Sequence, residues 1–175
     1  MNKQAVIDLF TQKYNTFIAY IRDLSDEEYL YAYQQKWTAG QQLEHIVLCV
    51  KPLVQVFSMD KAAIEKNFGA FAGPGRSYET LLALYHEKLQ EGGKAPTRFV
   101  PETTGIDQRA ALLETLTKLI HSLCAKIETF TEQELDTLCL PHPLLGNLTL
   151  REMLYNATYH VEHHLELAKQ NLKNK

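Results

Sequence analysis

Several features that would point directly to a function are missing from this 175-residue sequence. Acidic residues outnumber basic residues, 21 to 18, and the net charge is −3. Proteins that bind nucleic-acid backbones need a basic surface, so this charge balance argues against nucleic-acid binding. No stretch approaches about 18 uncharged apolar residues, and the first residues contain no signal-peptide core. We therefore expect a cytoplasmic protein with no membrane association.

Other functional signatures are scarce as well. The three cysteines, Cys49, Cys124 and Cys139, are an odd number and lie far apart, which predicts reduced thiols rather than a disulfide framework. The glycines fall in breaks between periodic segments, so no phosphate-binding loop is present. Glu-x-x-His does not occur in two copies, which disfavours a ferritin-like di-iron site. There is no low-complexity segment and no solenoid repeat.

What the sequence does contain is helical periodicity. No run alternates as a half-buried strand would, and apolar residues recur at helical spacing almost throughout. The pattern predicts a short helix over about Tyr78–Glu91 and four long helices, over about Lys3–Leu24, from Ala39 into the sixties, over Gln108–Phe130 and over Leu150–Leu172. Pro52 lies within the second long helix and predicts a kink there.

Four short motifs mark helix starts. In each, a serine or threonine precedes a glutamate or glutamine by three residues, so that the two side chains cap each other's backbone amides. They are Ser25–Glu28, Thr38–Gln41, Thr131–Glu134 and Thr149–Glu152. A long connection after the second long helix can cross the bundle. The prediction is one all-α domain over residues 1–175, an up-down-down-up four-helix bundle with a long crossover between the second and third long helices.

Three of the seven histidines cluster in the last predicted helix. Because each helical residue turns by about 100°, His164 falls inside the apolar sector and His160 at its edge, one turn earlier. Such i, i+4 spacing allows two imidazoles to reach one metal ion. His163 turns toward the polar side, and we expect it to be solvated.

Two imidazoles rarely hold a metal ion, so a third ligand must come from another helix. His45 is the best candidate, because it flanks the apolar arc of the second long helix. Cys49, one turn further on, and His142, between two prolines, are alternatives. A histidine at a core edge is more often a hydrogen-bonded structural residue, and a cysteine such as Cys49 is more often a small buried hydrophobe.

Three segments together resemble the DinB-like family of metal-binding four-helix bundles. They are Trp37–Ile46, similar to the family's tryptophan and first ligand histidine, His142–Leu154, similar to the start of its last helix, and the closing pair of His160 and His164. With the helix layout, the resemblance covers nearly the whole chain. It implies a divalent metal ion, such as zinc, nickel or iron, on His45, His160 and His164, and it implies a homodimer.

The resemblance also suggests a relation to transferases that attach or move low-molecular-weight thiols. We therefore expect a metal-dependent thiol S-transferase or hydrolase that acts on a small electrophilic molecule, with no catalytic residue assigned. The rival is a non-catalytic, stress-related protein whose metal site is structural or vestigial, which a fourth protein ligand would indicate. A third hypothesis is an interaction module that binds no metal. We expect members of the family to differ in the segment from Met59 to Gly105, so the resemblance does not identify the substrate.

Overall fold

The chain folds almost entirely into helices. The structure is a computed structural model that describes residues 1–175. Its α-helices are α1 (Lys3–Asp23), α2 (Asp26–Leu30), α3 (Ala39–Phe57), α4 (Lys61–Phe68), α5 (Tyr78–Gln90), α6 (Arg109–Glu128), α7 (Glu132–Thr137) and α8 (Leu150–Leu172). Single 3-10 turns span Thr97–Phe99 and Ile106–Gln108. The all-α prediction is confirmed.

Two local predictions were wrong. Strands β1 (Cys139–His142) and β2 (Gly146–Thr149) form an antiparallel hairpin where no strand was expected. Each strand has only four residues, too few for a period-two pattern to stand out. The second long helix ends at Phe57 rather than in the sixties, because the Asp60 side chain accepts hydrogen bonds from the backbone amides of Ala62 and Ala63 and starts the separate helix α4.

The four longest helices enclose one contiguous hydrophobic core. Helix α3 packs against α6 and α8, and α1 packs against the same two helices, so that each long helix has two long neighbours. Helix α5 lies against α8, and it therefore covers part of the helix that carries the histidine cluster. None of the helices combines the length and the apolar character that a membrane crossing requires.

All four predicted capping boxes are present. The most buried of them starts α8, where the Glu152 side chain is 2% exposed. Its carboxylate accepts hydrogen bonds from the Thr149 amide at 2.8 Å and from the Arg76 amide at 2.7 Å, and it pairs with the Arg76 guanidinium at 3.2 Å. Glu152 thus ties the hairpin and the segment before α5 to the first turn of α8, and so fixes where His160 and His164 lie along the bundle.

Replacing Glu152 with alanine should lower the free energy of unfolding by about 3 kcal/mol, because two backbone amides lose a buried acceptor and the partly exposed Arg76 guanidinium loses its partner. Glu28→Ala is the matched control, since it removes the same capping acceptor from an exposed helix start, and its loss should be clearly smaller. Urea denaturation followed by circular dichroism measures both. Equal losses in the two variants would contradict the anchoring role of Glu152.

Candidate metal centre

The structure brings together the three histidines that were predicted as ligands. Helix α3 carries His45, and helix α8 carries His160 and His164. His45 and His164 are buried, with 3% and 5% exposure, and His160 is partly buried. The Nε2 atom of His160 lies 3.2 Å from Nε2 of His45 and 3.0 Å from Nε2 of His164. One potential ligand atom from each residue falls within 4.8 Å of the other two.

Hydrogen bonds on the far side of two of the rings set their tautomers. The Nδ1–H of His45 donates to the backbone carbonyl of Phe99 at 2.6 Å. The Nδ1–H of His164 donates to Oε1 of Gln42, a side chain that is 4% exposed. A carbonyl oxygen only accepts, so each of these rings carries its hydrogen on Nδ1. The Nε2 atoms of His45 and His164 therefore present lone pairs toward His160.

The Nε2 atoms of His45, His160 and His164, which we call the inner nitrogens, have too few hydrogens to form both contacts between them as hydrogen bonds. His160 Nε2 carries at most one hydrogen when neutral, so it can donate to only one of its two neighbours. Added protons are disfavoured, because burial lowers the pKa of His45 and lowers the pKa values of His160 and His164 well below their ordinary range. A charge on one ring would also repel a charge on the next. At least one pair of nitrogen lone pairs therefore meets without a hydrogen between them.

A divalent cation would satisfy all three nitrogens at once. Metal–nitrogen bonds of about 2.05 Å at tetrahedral angles put two ligand nitrogens roughly 3.3 Å apart, close to the two Nε2 separations from His160. His45 and His164 each use Nδ1 to donate a hydrogen bond to a carbonyl oxygen. Histidine ligands of metal ions usually have such a partner on the nitrogen that does not bind the metal. The donor set fits a divalent metal ion, and three nitrogen donors do not by themselves select one metal.

The two alternative ligands lie outside this group. Cys49 Sγ is 3.6 Å from His45 Nε2, but it does not join the atoms within 4.8 Å of one another, and burial raises the pKa of its thiol to about 12. His142 Nδ1 accepts hydrogen bonds from the amides of Leu144 and Leu145, both at 3.2 Å, and so closes the hairpin turn. No fourth histidine, cysteine or carboxylate completes the group.

The second nitrogen of His142 also has a partner. Its Nε2 lies 3.2 Å from the side-chain amide of Asn156, and Asn156 Oδ1 is buried without a partner. Because Nδ1 of His142 accepts, its Nε2 carries the hydrogen, and the amide orientation that places Oδ1 of Asn156 at this contact gives a proper hydrogen bond. Burial lowers the pKa of His142 to about 4. His142 is therefore a neutral structural residue.

The expectation that His163 is solvated holds only in part. Its ring is partly buried, and its centroid lies 5.2 Å from that of His164 and 6.2 Å from that of Tyr159, on which it stacks. Helix α5 packs over this side of α8, and this contact was not visible in the helical phase of α8 alone. Burial lowers the pKa of His163, but its nitrogens do not belong to the three-histidine group.

The three histidines line a cavity of about 430 Å³ whose lining residues are mostly hydrophobic. Trp37, the only tryptophan, covers one side, with its ring centroid 5.0 Å from that of His45. Tyr85 of α5 also lines the cavity; it is 6% exposed, and its ring lies 6.3 Å from that of His160. The Tyr85 hydroxyl makes no hydrogen bond within the protein, so it is free to donate to a bound molecule.

Three groups at the site were not foreseen. Gln42 precedes His45 by three residues and so shares its helix face, a signal that the sequence does contain. The Phe99 carbonyl and the Tyr85 hydroxyl carry no such signal. Both come from the long connection between α3 and α6, and their position depends on the path of that connection.

The fold and the three convergent histidines define a mostly helical protein with a candidate metal centre. A family model described as the DinB superfamily matches residues 9–168. The chain therefore belongs to the DinB superfamily, as its motifs indicated. Comparisons with curated proteins and with solved structures gave no significant match.

Replacing His164 with alanine should abolish metal binding. Only His45 and His160 would remain as ligands, and two imidazoles rarely hold a metal ion. His163→Ala is the matched control, since it removes the adjacent imidazole of the same helix and spares the inner nitrogens. Elemental analysis of untagged protein, loaded with zinc and freed of excess, gives the stoichiometry. Full retention of zinc by the His164 variant would disprove the ligand set.

Replacing Gln42 with leucine should weaken metal affinity roughly 10- to 100-fold, as is usual when the partner that orients a histidine ligand is lost. Gln55→Leu is the control, because Gln55 is exposed on the same helix. Quenching of Trp37 fluorescence by Co²⁺ provides the titration signal, given the closeness of this ring to His45. Equal affinities in the two variants would show that Gln42 does not support His164.

Proposed function

We propose that this protein is a metal-dependent enzyme that transfers a low-molecular-weight thiol to a small electrophile, or that hydrolyses such a molecule. The observation that carries the proposal is the group of three neutral histidines at the wall of an apolar cavity. We include in the proposal a homodimer and the up-down-down-up course of the long helices. The pairing of α1 and α3 with the same two helices is compatible with that course.

The choice of ligands suits activation of a nucleophile. Three neutral imidazoles leave the charge of a divalent cation undiminished, and such a cation lowers the pKa of a thiol or water bound to it. Zinc, nickel and iron all accept nitrogen ligands of this kind. The rest of the contribution comes from the chain, because apolar cavity walls exclude bulk water and hold the electrophile beside the histidines.

Tyr85 is the residue of the chain best placed to assist the reaction. In the transfer, the thiol sulfur bonds to the electrophilic carbon, the leaving group departs with the electrons of its bond, and the thiol proton passes to solvent. Burial raises the pKa of Tyr85 above its ordinary value, so its phenol stays protonated near neutral pH. We propose that this hydroxyl donates a hydrogen bond to the departing group.

An open site supports the enzymatic proposal over the rival one. Structural metal sites are usually closed by a fourth protein ligand, whereas catalytic sites keep a position for substrate or water. The three-histidine group has no fourth member, and its neighbourhood is a cavity. Cys49 is the residue that would close the site if the metal had only a structural role.

Two reactions test the proposal. Cysteine with monochlorobimane reports thioether formation by fluorescence, and p-nitrophenyl acetate reports hydrolysis by absorbance. We expect at least one of them to exceed the uncatalysed rate with added zinc, nickel or iron, and to return to it after chelation and in the His45→Ala variant. Turnover that persists without metal, or in that variant, would contradict the mechanism.

The same assay separates the role of Tyr85 from that of the metal. Tyr85→Phe should lower kcat by roughly 100-fold, the lower end of the range for loss of one positioned donor, with the metal stoichiometry unchanged. Tyr159→Phe is the control, because the Tyr159 hydroxyl already bonds His86 at 3.0 Å. An unchanged kcat for Tyr85→Phe would remove this residue from the mechanism and leave the metal site intact.

A further inference from the structure

We infer that the cavity beside the three histidines takes a molecule that joins an apolar body to an anionic group, such as a carboxylate or a sulfonate. The inference rests on the proposed function only in placing the substrate in this cavity. It concerns the charge and polarity of the ligand, which the metal site by itself does not specify.

The apolar part of the ligand follows from the cavity walls. At about 430 Å³ the cavity lies within the range that binds small organic molecules. Its walls include aliphatic and aromatic side chains from α3, α4, α5 and the hairpin, among them Leu53, Val56, Phe68, Leu89 and Leu140. Such walls favour a molecule that buries apolar surface against them.

The anionic part follows from the charges. Although the chain contains 21 acidic residues, no aspartate or glutamate lines the cavity, whereas Lys94 and Arg98 both do. Both side chains belong to exposed residues, and neither forms an ion pair within the protein. Arg98 lies over the Phe99 ring at 4.8 Å from its centroid, which leaves its hydrogen-bond donors free. The cavity therefore offers positive charge without any compensating carboxylate.

The segment that carries these two cations is attached to one of the three histidines. They belong to residues 92–99, which we call the rim segment. Gly92, at φ +90°, begins it with a turn that favours glycine. At its other end the Phe99 carbonyl accepts the hydrogen bond from His45 Nδ1 at 2.6 Å. Arg98 thus directly precedes a residue that is bonded to one of the three histidines.

These features discriminate among ligands by charge. An anion that enters an apolar cavity loses hydration and needs fixed positive charge to compensate. Lys94 and Arg98 supply this charge, and no carboxylate opposes it. A neutral molecule of the same shape gains only the apolar contacts, and a cation meets repulsion. We therefore expect the order of affinity to be anion, then neutral molecule, then cation.

Two fluorescent probes with nearly the same apolar body test this order. One is 1-anilinonaphthalene-8-sulfonate, which is anionic, and the other is N-phenyl-1-naphthylamine, which is neutral. With chelator-treated full-length protein at low salt, the anionic probe should bind more tightly. Replacing Lys94 and Arg98 together with glutamine should weaken the anionic probe roughly five- to tenfold and leave the neutral probe unchanged, a size expected for two exposed charges.

Control variants make the result specific to the cavity. Lys173→Gln removes an exposed cation that does not line the cavity, and it should preserve the preference. Ala95→Trp, which narrows the cavity from the rim segment, should weaken both probes. Equal binding of the two probes to the unaltered protein would overturn the inference. So would a preference that survives the double substitution, or probe binding that Ala95→Trp leaves intact.

Repeating the titrations with zinc-loaded protein and with His164→Ala separates this inference from the proposed function. The same anion preference in the metal-free variant supports the roles of Lys94 and Arg98, whatever becomes of the enzymatic proposal. A preference that arises only with zinc would assign the anion to the metal and would overturn the roles given to the two cations.

Discussion

The candidate site depends on the direction in which three imidazole nitrogens point. Burial keeps the rings neutral, and carbonyl oxygens of Phe99 and Gln42 hold the Nδ1 hydrogens of His45 and His164. Their lone pairs must then meet at His160, whose own nitrogen can satisfy only one of them. The local arrangement is unfavourable without a cation and favourable with one. The ligands are neutral because the rings are buried, and the group is open toward the cavity because no fourth protein ligand completes it.

Three parts of the chain must be in place for these nitrogens to converge. Helix α8, fixed at its start by the buried Glu152, supplies two of the histidines. Helix α3 supplies the third, together with the glutamine that orients His164. The connection between α3 and α6 supplies the Phe99 carbonyl, the Tyr85 hydroxyl and the rim segment. Tyr85, Lys94 and Arg98 therefore lie on a different part of the chain from the three candidate metal ligands, although α3 and α8 also contribute side chains to the cavity walls.

The electrostatics of the cavity agree with its proposed chemistry. A site that lowers the pKa of a thiol or water gains from positive charge and from the exclusion of water, and nearby carboxylates would weaken both effects. The lining residues include no carboxylate, and the exposed cations of the rim segment add to the field of a bound metal ion. The proposed activation of a nucleophile and the inferred selection of an anionic molecule therefore draw on the same charge distribution, and the anion selection can be measured without the metal.

The sequence alone determined the features that arise within one helix or one turn. The four capping boxes, the bounds of α8 and the i, i+4 relation of His160 and His164 depend on neighbours a few residues apart, and the structure has all of them. The residues alone made His45 the best candidate but left Cys49 and His142 open as alternatives, and the family resemblance was needed to choose among them. The short hairpin, the partial burial of His163 and the position of Tyr85 were decided by tertiary packing alone. Each depends on contacts between segments far apart in the chain, such as α5 against α8, and no local pattern specifies the path that brings such segments together.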